Sequence, residues 1–387
     1  MRTNEINIRD PFVLVRGDTY YLYGTRGSTC WGPASGFDVY TGRDLGNWEG
    51  PFPCFENDGT FWADRDYWAP EVHFYQGAYY MFASFKAEGR CRGTAILKAG
   101  SPMGPFVPWT DGPVTPAGWE CLDGTFYVDQ DGNPWMVFCH EWVQAGDGEV
   151  LAMPLTADLR KGAGETRLLF RASEASWTKE MVHSSGIRGR VTDGPFLWRD
   201  GHSRLLCLWS SFSEDGYTQG LALSENGEIT GHFRQLPPLF REDGGHGMLF
   251  RSLEGQNEHA VAVGVGRDGP GALGFVAFEL IQGGRDEGET LDREDGALKG
   301  RLAAVAVLRE GLDDAERARN GLLGDLEGVR ALDDVDLDDL VGKEIRPGCG
   351  SGELAHEVGA HHQLLGLVGA DPAICCYPQL FACKYAV

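Results

Sequence analysis

Three aspartates open three similar segments of the chain: Asp10 in RDPFVLV, Asp123 in LDGTFYV and Asp193 in TDGPFLW. Each stands just ahead of an apolar run, beside Pro or Gly. A single Asp in that setting is an ordinary turn former that accepts backbone N–H groups. Three at the heads of a repeat read instead as carboxyl groups brought face to face across a pocket. Such a pair can protonate a leaving oxygen on one side and activate water on the other, the chemistry of glycosidic hydrolysis. Glu141, in CHEW, is a second candidate for the proton donor.

Other residues suit the walls of a sugar pocket. Glu71 in WAPE is placed to accept a sugar hydroxyl or to brace a strand, and His140 to touch substrate or cap the strand at the rim. The faces of Trp31 and Trp68 match the C–H surface of a furanose or pyranose ring, although tryptophans are also core residues.

The elements that position these groups come from a repeat. Its copies run Arg9 to Thr25, Ala69 to Ser84, Leu122 to Phe138, Thr192 to Ser211 and Gly245 to Val263. Each has a small or charged pair with Pro or Gly, a strand, a tight turn and a second strand, the signature of a β-hairpin. The copies lie about 50 to 70 residues apart, room for a four-stranded blade and its loops. The expected fold is therefore all-β, a five-bladed β-propeller over residues 1–280, with a β-sandwich as the alternative. Alternating Val261, Val263 and Val265, and the run Ala272 to Leu280, supply strands for the fifth blade.

Composition changes after Phe278. No Phe, Tyr or Trp occurs from Glu279 to Cys376, against 11% aromatics in the whole chain, and the acidic run LDDVDLDDL falls in this stretch. Residues 281–387 read as an atypical, partly helical or disordered tail. Either a reading-frame shift or an added domain accounts for the break.

The net charge of −23 disfavours a phosphate backbone or an anionic membrane surface as partner, whereas a neutral oligosaccharide carries no such penalty. No apolar run approaches the roughly 18 residues of a membrane span, and the start, MRTNEINIRDPFVLV, shows no secretory leader, so a cytoplasmic location is expected. The ten cysteines form no CxxC pair and read as ordinary thiols. No GxSxG, Walker or HExxH pattern competes with the carboxylates.

RDPFVLV, YWAPEVHFYQGAYYMFAS, SPMGPF, LDGTFYVDQDGNPWMVF, TDGPFLW and GGHGMLFRSLEGQ, in that order over residues 6 to 256, resemble the blade motifs of glycoside hydrolase family 43. The resemblance implies a five-bladed propeller that hydrolyses arabinofuranosides, xylosides or galactosides with inversion and requires no cofactor. It assigns Asp10 as base, Asp123 as the residue that tunes the acid, and the acid itself to Asp193. The family carries Glu at that last position, so Asp193, one methylene shorter, and Glu141 both remain candidates. His246 resembles an axial histidine of the family, implying a structural cation, calcium, on the propeller axis. Inversion calls for base and acid carboxyls about 6.5–9.5 Å apart. A carbohydrate-binding propeller that has lost its acid is the non-catalytic alternative.

Overall fold

Strands β1 (Ile8–Arg16), β2 (Thr19–Arg26), β3 (Gly36–Gly42) and β4 (Glu49–Glu56) follow one another as an antiparallel meander. The same order recurs in β5 (Arg65–Tyr75), β6 (Ala78–Lys86), β7 (Gly93–Ala99) and β8 (Val107–Pro108). It recurs again in β9 (Cys121–Val128), β10 (Pro134–His140), β11 (Glu149–Pro154) and β12 (Arg167–Arg171). After a two-stranded hairpin, β13 (Met181–Val182) with β14 (Arg188–Gly189), come β15 (Asp193–Arg199), β16 (Leu205–Ser213), β17 (Gly216–Ser224) and β18 (Phe233–Phe240). The computed structural model describes residues 1–200, 203–241 and 244–253, together with the backbone of β20 (His259–Val265), β21 (Leu273–Leu280) and β22 (Leu302–Ala304). These three strands pair in sequence order with β19 (Leu249–Arg251). The arrangement is all-β and propeller-like, with four blades described in full. Val261, Val263 and Val265 lie in β20 and Leu273–Leu280 form β21, while Ala272 of the run that the sequence singled out lies outside the described residues. Apart from β22, the tail of residues 281–387 lies outside the described residues.

Consecutive blades bury their faces against each other, which explains why some strands are apolar on both sides rather than alternating. β16 is buried at all nine positions. Between the first two blades Phe37, Phe55, Tyr67 and Phe85 pack edge to face and stacked. Phe170, Trp209 and Phe233 fill the same role between the third and fourth. The first strands touch in succession, β1 to β5, β5 to β9 and β9 to β15, and β19 lies against β1.

One irregularity repeats at the head of β1, β5, β9 and β15. Arg9 pairs with Thr25 and Phe12 with Tyr23, so two residues oppose one. The same two-for-one step lies between Trp68 and Glu71, Leu122 and Thr125, and Asp193 and Phe196. Such a bulge re-aims a side chain and sharpens the local twist. Its first residue is left-handed each time: Asp10 at φ 52°, Ala69 at 46°, Asp123 at 56° and Gly194 at 49°. His246, ahead of β19, has φ 50°. The second bulge residue is Pro11, Pro70, Gly124 or Pro195. A bulge leaves an N–H out of the ladder, so Pro fits there at no cost in hydrogen bonding.

The bulges are stitched from blade to blade. Thr25, Ser84 and Ser210 each pair with the residue just before a bulge. Each hydroxyl then accepts the N–H of the left-handed residue that leads the next sheet: Ala69 N to Thr25 Oγ1 at 2.8 Å, Asp123 N to Ser84 Oγ at 2.8 Å, and His246 N to Ser210 Oγ at 2.7 Å. In the third blade Cys139 occupies this place, and Gly194 N donates instead to Asp123 Oδ2 at 3.0 Å. Ser84→Ala leaves the buried Asp123 N–H without an acceptor and should cost about 1–3 kcal/mol of stability. Denaturant unfolding of the two proteins measures this, and an unchanged midpoint would remove the stitch from the argument.

Candidate active site

The bulges aim Asp10 and Asp123 at one imidazole. His246 Nδ1 lies 3.3 Å from Asp10 Oδ1 and 3.6 Å from Asp123 Oδ2. The Thr25 hydroxyl donates to the other Asp10 oxygen at 2.7 Å, so that one hydroxyl both holds this carboxylate and takes the next blade's N–H. Asp123 is only 7% exposed. Burial pushes its pKa up to about 7, with His246 and the Gly194 N–H pulling it down and Asp193 and Asp10 adding to the rise. Gly194 is required beside this histidine: a Cβ built on it would meet the His246 ring at 2.7 Å, and its φ is positive.

Asp193 is not in register with the other two aspartates, contrary to the sequence reading. It is the paired residue before the bulge, the place held by Arg9, Trp68 and Leu122, because in TDGPF the left-handed residue is the glycine. Its Oδ2 accepts the Tyr217 hydroxyl at 3.0 Å. Its charge nevertheless reaches Asp123 on one side and Glu141 on the other.

Glu141 follows the last residue of β10, at the end of blade three that also holds Asp123. Its N–H donates to Glu120 O at 2.8 Å. The side chain is 9% exposed and faces Arg92 Nε at 3.6 Å. Burial raises its pKa; Arg92 and Lys86 oppose that rise while Glu120 and Asp193 reinforce it.

The structure turns other expected contacts to different uses. His140 has Nδ1 on Glu149 Oε2 at 3.0 Å, Nε2 on Gln144 Oε1 at 2.8 Å and its face stacked on Trp119, so its polar atoms brace blade three. Glu71 Oε2 takes the Thr125 hydroxyl at 2.6 Å and lies 3.0 Å from His73 Nε2, tying blade two to blade three. Trp68 gives its indole N–H to Cys30 O at 2.5 Å and has the Arg92 guanidinium 3.4 Å over its ring. Trp31 stands edge-on to it at 5.2 Å and is 39% exposed, so of the two it presents the open aromatic surface.

Where calcium is expected, His246 turns Nδ1 toward one oxygen each of Asp10 and Asp123. Among the described residues no group of three or more His, Cys, Asp or Glu gathers as a cation cage. Calcium takes about six to eight oxygen ligands, whereas here a ring nitrogen faces two carboxylate oxygens. His246 is thus the shared neighbour of Asp10 and Asp123. Thr25, Ser84, Tyr217 and Arg92 escaped the sequence reading. Thr25 and Ser84 close two of the repeated hairpins, a signal that becomes legible once the bulge register is known.

The family model for glycosyl hydrolases family 43 matches residues 4–266. An extracellular exo-α-(1→5)-L-arabinofuranosidase, ArbA, from Cellvibrio japonicus (strain Ueda107) is 24% identical over 265 residues, 64% of this chain and 72% of that protein. An extracellular endo-α-(1→5)-L-arabinanase of Bacillus subtilis (strain 168) is 26% identical over 151 residues, 36% of this chain and 45% of that protein. The crystal structure of an endo-arabinase from Bacteroides thetaiotaomicron VPI-5482 is 38% identical, covers 72% of this chain and 95% of its own, and superposes with a TM-score of 0.65. The two curated relatives are named as extracellular, which overturns the cytoplasmic expectation. That expectation rested on the look of the first residues and on isolated thiols, and buried thiols such as Cys54, Cys139 and Cys207 report packing rather than compartment. With its motifs in order, its carboxylates converging and the family model spanning most of its length, the chain belongs to glycosyl hydrolases family 43 and hydrolyses O-glycosyl bonds.

Proposed function

We propose that this enzyme cleaves α-L-arabinofuranosyl linkages with inversion, acting on the ends of plant-type oligosaccharides outside the cytoplasm. The observation that carries the reading is the convergence of Asp10 and Asp123 on His246. The sugar is argued from the names of the similar proteins, among which arabinofuranosidase and arabinanases recur. Asp10 takes a proton from water as the water attacks the anomeric carbon. A second carboxyl group, Asp193 or Glu141, protonates the leaving oxygen while the glycosidic bond breaks. Asp123 lies beside Asp10 and Asp193 and sets the local charge. We further propose that the β19–β22 sheet closes the ring as a fifth blade, a reading supported by the position of β19 against β1.

Release of nitrophenol from arabinofuranoside, xyloside and galactoside substrates tests the sugar, and proton NMR of the first-formed anomer tests inversion. Arabinofuranoside turnover that yields the opposite anomer is expected. Binding without turnover across the panel would leave only a sugar-binding propeller.

Asp10→Asn should lower kcat by about 10²–10⁴-fold, the span general acid–base groups supply, with an unchanged circular dichroism spectrum. Near-normal turnover would exclude Asp10 as base.

Asp123 also predicts a pH dependence of stability. In the unfolded chain it ionises near about 3.9, but in the fold at about 7. Between these values the folded state holds the extra proton, so stability falls as pH rises through the window and the loss is complete above it. Asp123→Asn removes the step. The melting temperature of the variant relative to the parent should therefore climb from pH 4 to pH 7; parallel curves would count against a buried, proton-holding Asp123.

A further inference from the structure

The remaining question, which rests on the glycosidase reading above, is which carboxyl group delivers the proton. Asp193 stands where the motif resemblance places the acid, but its carboxyl is short, and its Oδ2 is already the acceptor for Tyr217. Glu141 differs on each count. It carries one more methylene, and the group facing its carboxyl among the described residues, Arg92 Nε, is 3.6 Å away, beyond hydrogen-bond reach. It sits at the end of blade three that holds Asp123, and its charge interacts with Asp193 across the junction with blade four. Burial raises its pKa against the pull of Arg92, the direction a general acid requires.

We propose that Glu141, at the end of β10, is the general acid of this enzyme, and that Arg92 is its positioning residue. In the step, the Glu141 proton passes to the glycosidic oxygen as the bond from that oxygen to the anomeric carbon breaks. Water adds to the opposite face of the same carbon and gives its proton to Asp10. Glu141 is left ionised and Asp10 protonated, and exchange with solvent restores both. Arg92 lies 3.6 Å from Glu141 Oε1, beyond hydrogen-bond reach, yet close enough to favour the charge that the departing proton leaves behind. It is fixed there by Trp68, whose ring lies 3.4 Å from the guanidinium carbon, and by Asp66 Oδ2 at 3.5 Å. Asp66 Oδ1 in turn accepts the Gly32 N–H at 2.7 Å, so the loop that carries the exposed Trp31 is tied to the acid through one cation.

Leaving-group dependence separates the two carboxyls. Glu141→Gln and Asp193→Asn are compared on two glycosides of one sugar. One has a 2,4-dinitrophenyl group, which departs without protonation, and the other an alkyl or sugar aglycone, which does not. Glu141→Gln should lose about 10²–10⁴-fold in kcat on the second and less than about tenfold on the first, and the basic limb of its pH profile should vanish. Asp193→Asn should keep that limb and lose similarly on both. The reverse pattern, or a loss in Glu141→Gln indifferent to the leaving group, overturns the assignment. The pairs are made on arabinofuranosyl, xylosyl and galactosyl sugars, so a wrong sugar overturns only the substrate reading and the acid is read from whichever pair is cleaved. Cleavage of none overturns both.

Arg92→Met supplies an independent readout. The charged groups bearing on Glu141 are Arg92, Lys86, Glu120 and Asp193, and Glu141 in turn acts on Cys121. Removing the nearest cation lets Glu141 hold its proton to higher pH, so the basic limb of kcat/KM should move up by about one pH unit or more. Arg92→Lys should return it toward the parent value. A loss of activity with the limb unmoved would make Arg92 merely structural.

Discussion

The bond from a bulge N–H to a hydroxyl of the preceding blade is the contact on which the site depends. A propeller blade could pack against its neighbour at several offsets, since aromatic surfaces such as Phe37 against Tyr67 and Phe85 are tolerant of sliding. The Ala69–Thr25, Asp123–Ser84 and His246–Ser210 bonds admit one offset only. They bind the strained residue itself, so the left-handed backbone that each of those residues adopts is held by its neighbour. Backbone of this kind typically costs on the order of 1–3 kcal/mol per residue and persists only where its surroundings over-determine it. Two of these residues supply the Asp123 carboxylate and the His246 imidazole. Precision in blade packing and precision in the site are therefore one property.

The exception in the third blade has a functional consequence. With Cys139 where the other blades carry a hydroxyl, the Gly194 N–H turns to Asp123 Oδ2, and the third and fourth blades become joined through a titratable side chain. Burial holds that carboxyl to its proton while His246 draws it toward ionisation. A structural bond in the other junctions has here become part of the electrostatic balance of the pocket. Around it lie Asp10, Asp193 and Glu141, with Arg92 the cation that faces Glu141 from the second blade. Several carboxyl groups this close cannot all be charged at once without penalty, and hydrolysis by one acid and one base needs that inequality.

The repeat and its chemistry were visible in the residues. Pairs such as DP, AP, DG and GP before each apolar run mark the bulges, because only residues that need no N–H partner or no Cβ fit the second position there. Asp10 and Asp123 could be picked out for the same reason: a left-handed residue at a strand head tolerates Asp, and the position recurs. The strands of the fifth sheet were likewise legible from alternating valines.

What the chain by itself determined was therefore the hairpins, their order and the aspartates that bulges would turn inward, all of it local chemistry written in a few consecutive residues. Only the tertiary structure decided the rest. Asp193 falls one residue out of register, a difference that is seen in strand pairing and not in the motif. Glu71 is claimed by Thr125 of the next blade and His140 by Glu149 of the next strand, one face of Trp68 is covered by Arg92, and His246 Nδ1 faces two carboxylates. These meetings are set by how strands pair and blades stack, and the longest, His246 with Asp10 and Asp123, joins residues more than a hundred positions apart, so no local pattern encodes them.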